Sequence, residues 1–232
     1  MLPPMQGKLM TTTLQVGIYL FDEVEVLDFA GPFEVFSTAS RLMGIDGSTP
    51  PFDVHTIGPT IQPIHARAGL TVMPQHTLAE HPPLDVLIVP GGVVAGELKR
   101  EALADWLVVQ SCKVKVLASV CTGAFLLEHA GLLNEREVIT HWEDIDDLRN
   151  VSRLSGSLVH VLAGQRWVEA KPWVHHGGVC RLFTSAGISA GIDLSLHLVA
   201  ELASPELARR TARQMDFDWR AANGSIVQSA GR

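Results

Sequence analysis

Val114-Lys115-Val116-Leu117-Ala118-Ser119-Val120-Cys121-Thr122-Gly123-Ala124-Phe125-Leu126-Leu127 is the stretch that decides the fold. Five of its first seven residues are apolar, three of them valine, as in a buried strand, and the residues after Cys121 open a helix that Gly131 stops. Ser119 and Gly123 flank the cysteine two places away on either side. A tight strand-to-helix turn needs small residues there, because their side chains come close to neighbouring backbone. Cys121 is therefore read as a reactive thiol at a nucleophile elbow. The free N–H groups and positive end of the following helix are expected to favour its thiolate. A buried structural cysteine is the ordinary alternative, and Cys112 and Cys180, which lack this context, are assigned to structure.

Further short apolar runs read as strands: Leu14 to Phe21, Phe52 to Ile57, Leu84 to Pro90 and Arg181 to Thr184. Leu84 to Val89 is apolar on both faces after its second residue, the pattern of a parallel strand covered on both sides. Helices are expected at Pro32 to Leu42, Glu97 to Gln110, Thr122 to Ala130 and Ile188 to Leu202. Ser204-Pro205-Glu206 looks like an N-cap, a first-turn proline and an acidic first turn. The alternation predicts an α/β fold, a doubly wound, mostly parallel sheet sandwiched by helices. Gln165 to Arg181 resembles a hairpin-like excursion. One domain over 13–220 is expected, with flexible tails at 1–12 and 221–232, and either Met1 or Met10 as the natural start.

The 232 residues carry 18 Lys+Arg against 25 Asp+Glu, a net charge of −7, and are 47% hydrophobic. This supports a sizeable core and argues against nucleic-acid binding by the chain itself. No apolar run approaches the length of a membrane span, and the start does not read as a secretory signal. Three widely spaced cysteines exclude a disulfide framework and a C-x-x-C pair, so a cytoplasmic location is expected.

A second strand ends in Val89-Pro90-Gly91-Gly92. Strand ends at the carboxyl edge of a parallel sheet lie side by side, where ligands bind. The N–H groups of Gly92 and Thr122 are candidates for an oxyanion-hole-like pocket, although an ordinary Pro-Gly-Gly turn reads the same way. His175-His176 sits on an expected strand, so its side chains point to opposite faces. It is a poor metal pair, and no metal is predicted.

Taken together, these pieces resemble the ThiJ/PfpI superfamily, with its flavodoxin-like, class I glutamine-amidotransferase-like architecture. The likeness runs from about Thr13 to Asp218 through Phe21 to Pro32, Val89 to Gly92, Ser119 to Gly123, Thr140-His141-Trp142 and Thr184 to Asp193. Within the superfamily it is nearest to isonitrile hydratases and to the N-terminal domains of AraC-type regulators. The resemblance implies that Asp28 reaches the elbow cysteine and takes part in catalysis. From the residues alone, Asp28 before Gly31-Pro32 is equally a helix N-cap. It further implies that His141 lies near Cys121, orienting it or handling protons; a satisfied structural histidine is the competing reading. Glu23 and Glu25 are read as a solvated face.

Departures narrow the likeness. Thr122 stands where the peptidases carry a histidine after the cysteine. The one His-x-Glu, His141-Trp142-Glu143, comes too early for an amidotransferase. After the match, 232 residues are expected to leave no room for a helix-turn-helix module.

The resulting expectation is a cofactor-independent hydratase or hydrolase of small carbon–nitrogen substrates, turning an isonitrile and water into an N-substituted formamide. Cys121 attacks, Asp28 supplies a proton and then helps activate water, and Gly92 and Thr122 hold charge. The alternatives are a non-catalytic ligand or redox sensor, and a glyoxalase- or deglycase-like activity on dicarbonyls. The resemblance also implies a homodimer. Substrate selection is expected from Phe21 to Phe29, His141-Trp142 and the 165–181 excursion.

Overall fold

The computed structural model describes residues 12–175 and 178–230. His176 and the segment 1–11 lie outside the described residues. The first half runs β1 (Leu14–Tyr19), α1 (Val26–Ile45), β2 (Phe52–Gly58), the short β3 (Ile64–His65), β4 (Thr71–Val72) and β5 (His76–Thr77), then β6 (Val86–Val89), α2 (Glu101–Ser111) and β7 (Val116–Val120). The second half contains α3 (Gly123–His129), β8 (Glu137–Val138), α4 (Ile145–Ser155), β9 (His160–Val161), β10 (Trp167–His175), β11 (Gly178–Ser185), α5 (Ala190–Leu202), α6 (Pro205–Gln214), β12 (Trp219–Arg220) and β13 (Ile226–Gln228).

Seven strands form the central sheet in the order β10-β11-β7-β6-β1-β2-β5. Every pairing in it is parallel except β10 with β11. The continuous apolar runs explain this. All residues of β6 and β7 are buried, which requires cover on both faces. Chain order reverses at β1, which pairs with β2 on one side and β6 on the other. The carboxyl edge beside that reversal is where doubly wound sheets place ligands.

Several boundaries differ from the sequence expectation. Helix α1 begins at Val26, not Pro32, and Pro32 lies inside it. Its N-cap is Glu25, and Asp28 stands in the first turn, donating its N–H to the Glu25 carbonyl at 3.2 Å. The N-cap reading of Asp28 is thereby overturned. Burial of Phe29, Val35, Phe36 and Ala39 along one side holds the helix through the proline. The helix expected over 97–110 is broken at Arg100, whose backbone is not helical (φ −94°, ψ 88°).

The 165–181 excursion turns out to be integral to the sheet, since β10 forms its edge and β11 lies beside β7. Residues 221–230, expected as a loose tail, form the β12–β13 hairpin with Trp219 and Arg220. Buried Asp193 anchors it: Oδ1 accepts from the Arg220 N–H at 2.7 Å, and Oδ2 accepts from Arg166. Ser204 caps α6 as read, its Oγ accepting from the Leu207 N–H at 3.1 Å.

Candidate active site

Strand β7 delivers Cys121 at φ +56°, a left-handed conformation uncommon for a non-glycine residue. Such a residue costs about 1–2 kcal/mol, and two hydrogen bonds hold it there. The Cys121 N–H donates to the Ser185 carbonyl at 3.1 Å, and Thr140 Oγ1 donates to the Cys121 carbonyl at 2.9 Å. Gly123 completes the turn, because any Cβ there would run into the Val89 carbonyl oxygen and lie 2.9 Å from that of Pro90. The small residue foreseen at 123 is thus a steric requirement imposed by the neighbouring strand end.

Asp28 lies behind the cysteine with no exposed surface. Its Oδ2 accepts from the Gly91 N–H at 3.0 Å, so the glycine turn after β6 holds the carboxyl group. Among the described residues Oδ1 has no hydrogen-bond partner. Burial pushes this acid from its ordinary 3.8 up to about 7, with the Glu25 charge adding to the rise; the Gly91 N–H and a weaker interaction with the Cys121 thiol oppose it. A buried acid poised near neutrality beside a thiol is suited to exchanging protons with it.

The thiol itself departs from the sequence expectation. Burial first, then the Asp28 charge, push Cys121 up to about 12. The Thr122 N–H, and more weakly its side chain, pull the other way but are outweighed. At neutral pH the resting group is a thiol, because desolvation acts on the whole residue while the helix end supplies only partial charges.

Gly92 also departs from its expected part. Its N–H donates to Thr122 Oγ1 at 2.9 Å, while that hydroxyl donates back to the Gly92 carbonyl at 2.9 Å. In this conformation the Gly92 N–H is committed to Thr122, whereas the Thr122 N–H points to the sulfur.

Solvent reaches Cys121 through a pocket of about 220 Å³, lined by Glu25, Arg67, Gly92, Thr122, His141, Glu143, Asp144 and Ile188 as well as Cys121. His141, the uncertain histidine of the sequence, is on this wall, its side chain 17% exposed. Its Nδ1 lies 3.3 Å from Asp144 Oδ2 and 3.8 Å from Glu143 Oε2. Glu25 is not a solvated face: it lines the pocket and pairs with Arg67 at 3.4 Å. No residue of 165–181 reaches the pocket among its described residues, and Trp142 stands outside it, 72% exposed. Asp144, Arg67 and Gly187 escaped the sequence reading. A Cβ on Gly187 would collide with His141 Cδ2 and come within 2.8 Å of Cys121 Sγ, so only glycine lets ring and sulfur approach. Among the described residues no three His, Cys, Asp or Glu side chains are gathered as metal ligands.

Residues 14–201, from β1 into the last turn of α5, match the DJ-1/PfpI family. The chain belongs to the DJ-1/PfpI family. This DJ-1/PfpI chain is 32% identical over 205 residues to the isonitrile hydratase of Pseudomonas putida, covering 88% of the chain and 78% of that enzyme. It is also 26% identical over 204 residues to the HTH-type transcriptional regulator GbdR of Pseudomonas aeruginosa. That match spans 88% of the chain but half the length of the regulator. A crystal structure of a ThiJ/PfpI family protein from Pseudomonas syringae shares its fold, with a TM-score of 0.69 at 24% identity, covering 94% of this chain and 82% of the other. Among the described residues, no helix of the DJ-1/PfpI chain is long and apolar enough to cross a membrane.

Proposed function

We propose that the protein is a cofactor-independent hydratase of small carbon–nitrogen substrates, adding water to an isonitrile to give an N-substituted formamide. The observation that carries this reading is the wholly buried Asp28 carboxyl, poised near neutrality and facing a cysteine that is protonated at rest. An isonitrile carbon must gain a bond to a nucleophile and a proton. Asp28 takes the thiol proton as sulfur attacks, then returns it to the same carbon, leaving a thioimidate on Cys121. The strained strand–turn–helix geometry at Cys121 supports a nucleophile elbow there, with the Thr122 N–H toward the charge that develops. The likeness to an isonitrile hydratase supports the substrate class. The test is incubation of purified protein with cyclohexyl isocyanide: formamide above a Cys121→Ala control is expected, and none above it sinks the assignment.

A second reading is a ligand-sensing domain with the same pocket, which the likeness to GbdR favours. Saturable binding of the isocyanide without turnover would select it. Association as a homodimer belongs to the same proposal and is read by light scattering.

A further inference from the structure

Water must reach the bound carbon from the pocket, and Asp28 does not line it. The sulfur therefore separates a buried proton donor from the solvent that completes the reaction. On the solvent side His141 is the histidine of the wall. Its Cδ2 edge packs at Gly187 beside the sulfur. Nε2, bonded to that carbon, makes no hydrogen bond to any described residue. Nδ1 instead has two competing neighbours. The Glu143 N–H, 3.4 Å away, donates to it and favours the proton on Nε2. Asp144 Oδ2 lies 3.3 Å away as an ion-pair neighbour, and its charge favours a proton on Nδ1. A charged acceptor outweighs a neutral donor at similar distance.

We propose that His141 is the water-activating base of the second half-reaction and that Asp144 is its positioning residue, keeping the proton on Nδ1 so that Nε2 offers a lone pair to the pocket. This rests on the hydratase reading above. Nε2 takes a proton from water as the oxygen bonds to the thioimidate carbon, and the C=N electron pair moves to nitrogen, which receives that proton from His141. The C–S bond then breaks as C=O forms; Nε2 accepts the hydroxyl proton and passes it to the departing sulfur. One water hydrogen ends on nitrogen, the other on Cys121, and the original thiol hydrogen on carbon. Asp144 acts through His141 by fixing its tautomer.

The experiment follows the Cys121 adduct by intact mass, and formamide by chromatography, after mixing with cyclohexyl isocyanide. Wild-type protein is expected to release formamide with little adduct. His141→Gln accumulates the adduct, its hydrolysis slowed about 10²–10³-fold; Asp144→Asn slows hydrolysis about tenfold. Wild-type formamide rates in His141→Gln, or equal loss of adduct formation and turnover, would overturn the role of His141. A wild type giving neither adduct nor product overturns the hydratase reading and, with it, the base. Asp144 is judged separately by ¹⁵N NMR of the resting protein. The Nδ1–H tautomer is expected in wild type, shifting toward Nε2–H in Asp144→Asn; Nε2–H already in wild type overturns the positioning.

Discussion

Thr122 Oγ1 accepts from the N–H of Gly92 and donates to the carbonyl of the same residue, both at 2.9 Å. One hydroxyl thus ties the turn after β7 to the turn after β6. Replacing Thr122 by Val strips both bonds and leaves two backbone groups to find water. A loss of about 1–3 kcal/mol is expected from urea unfolding, together with slower formamide production, because the turn carrying Cys121 loses its brace. Thr122→Ser keeps the hydroxyl and should retain most of both properties.

Asp28 makes stability depend on pH. Its carboxyl titrates near 7 in the folded protein against an ordinary 3.8. Between these values the unfolded chain has released the proton and the folded chain has not, so its contribution to stability falls as pH rises, then levels off above about 7. Asp28→Asn removes this burden and keeps an acceptor for the Gly91 N–H. Its advantage over wild type should be small at pH 4 and approach about 4 kcal/mol at pH 8. Turnover by Asp28→Asn should be lost, and wild-type kcat/KM should rise through about pH 7 as the base forms. A variant equally stabilised at pH 4 and pH 8 contradicts the account.

Resting Cys121 should be sluggish toward iodoacetamide. Exposed Cys112 is expected to be alkylated first at pH 7.5, and modification of Cys121 should quicken about tenfold per pH unit from 7 to 9. Since the Asp28 charge helps hold the thiol up, Asp28→Asn should speed Cys121 alkylation. Peptide mapping by mass distinguishes the two sites. Faster labelling of Cys121 than Cys112 in the wild type would show a resting thiolate.

Gly187 has room for nothing larger. Alanine there must part His141 from Cys121 or shift the loop before α5. A stability loss of about 1–3 kcal/mol is expected, with turnover down about 10²-fold from the displaced ring. Wild-type turnover in Gly187→Ala would mean that the contact is incidental.

The strands were legible because burial on both faces leaves a local trace: Leu-Ile-Val runs such as 87–89 serve few other purposes. The cysteine turn was legible because Gly123 and Gly91-Gly92 stand at fixed places beside their strand ends, although the atoms that exclude a larger residue come from other segments, Val89 and Pro90 for Gly123 and Thr122 for Gly91. Helix α1 was misplaced because Pro32 usually marks a first turn, and only packing against the sheet explains why the helix runs through it. The C-terminal hairpin was missed because its anchor, Asp193, lies 27 residues before Arg220 and leaves no mark in the small, polar residues it holds.

By itself, then, the sequence determined the layered α/β architecture and put Cys121 at its sharp turn. The first follows from local periodicity, and the second from the small residues that the sequence displays beside the cysteine. Tertiary structure alone decided the chemistry of that cysteine. Whether it rests as thiol or thiolate depends on desolvation by strands and loops far apart in the chain, and this outweighs the helix end that local sequence displays. Only the fold puts Asp28 behind the sulfur and sets His141, Asp144 and Gly187 before it, since a pocket is a relation between strand ends that no single segment carries.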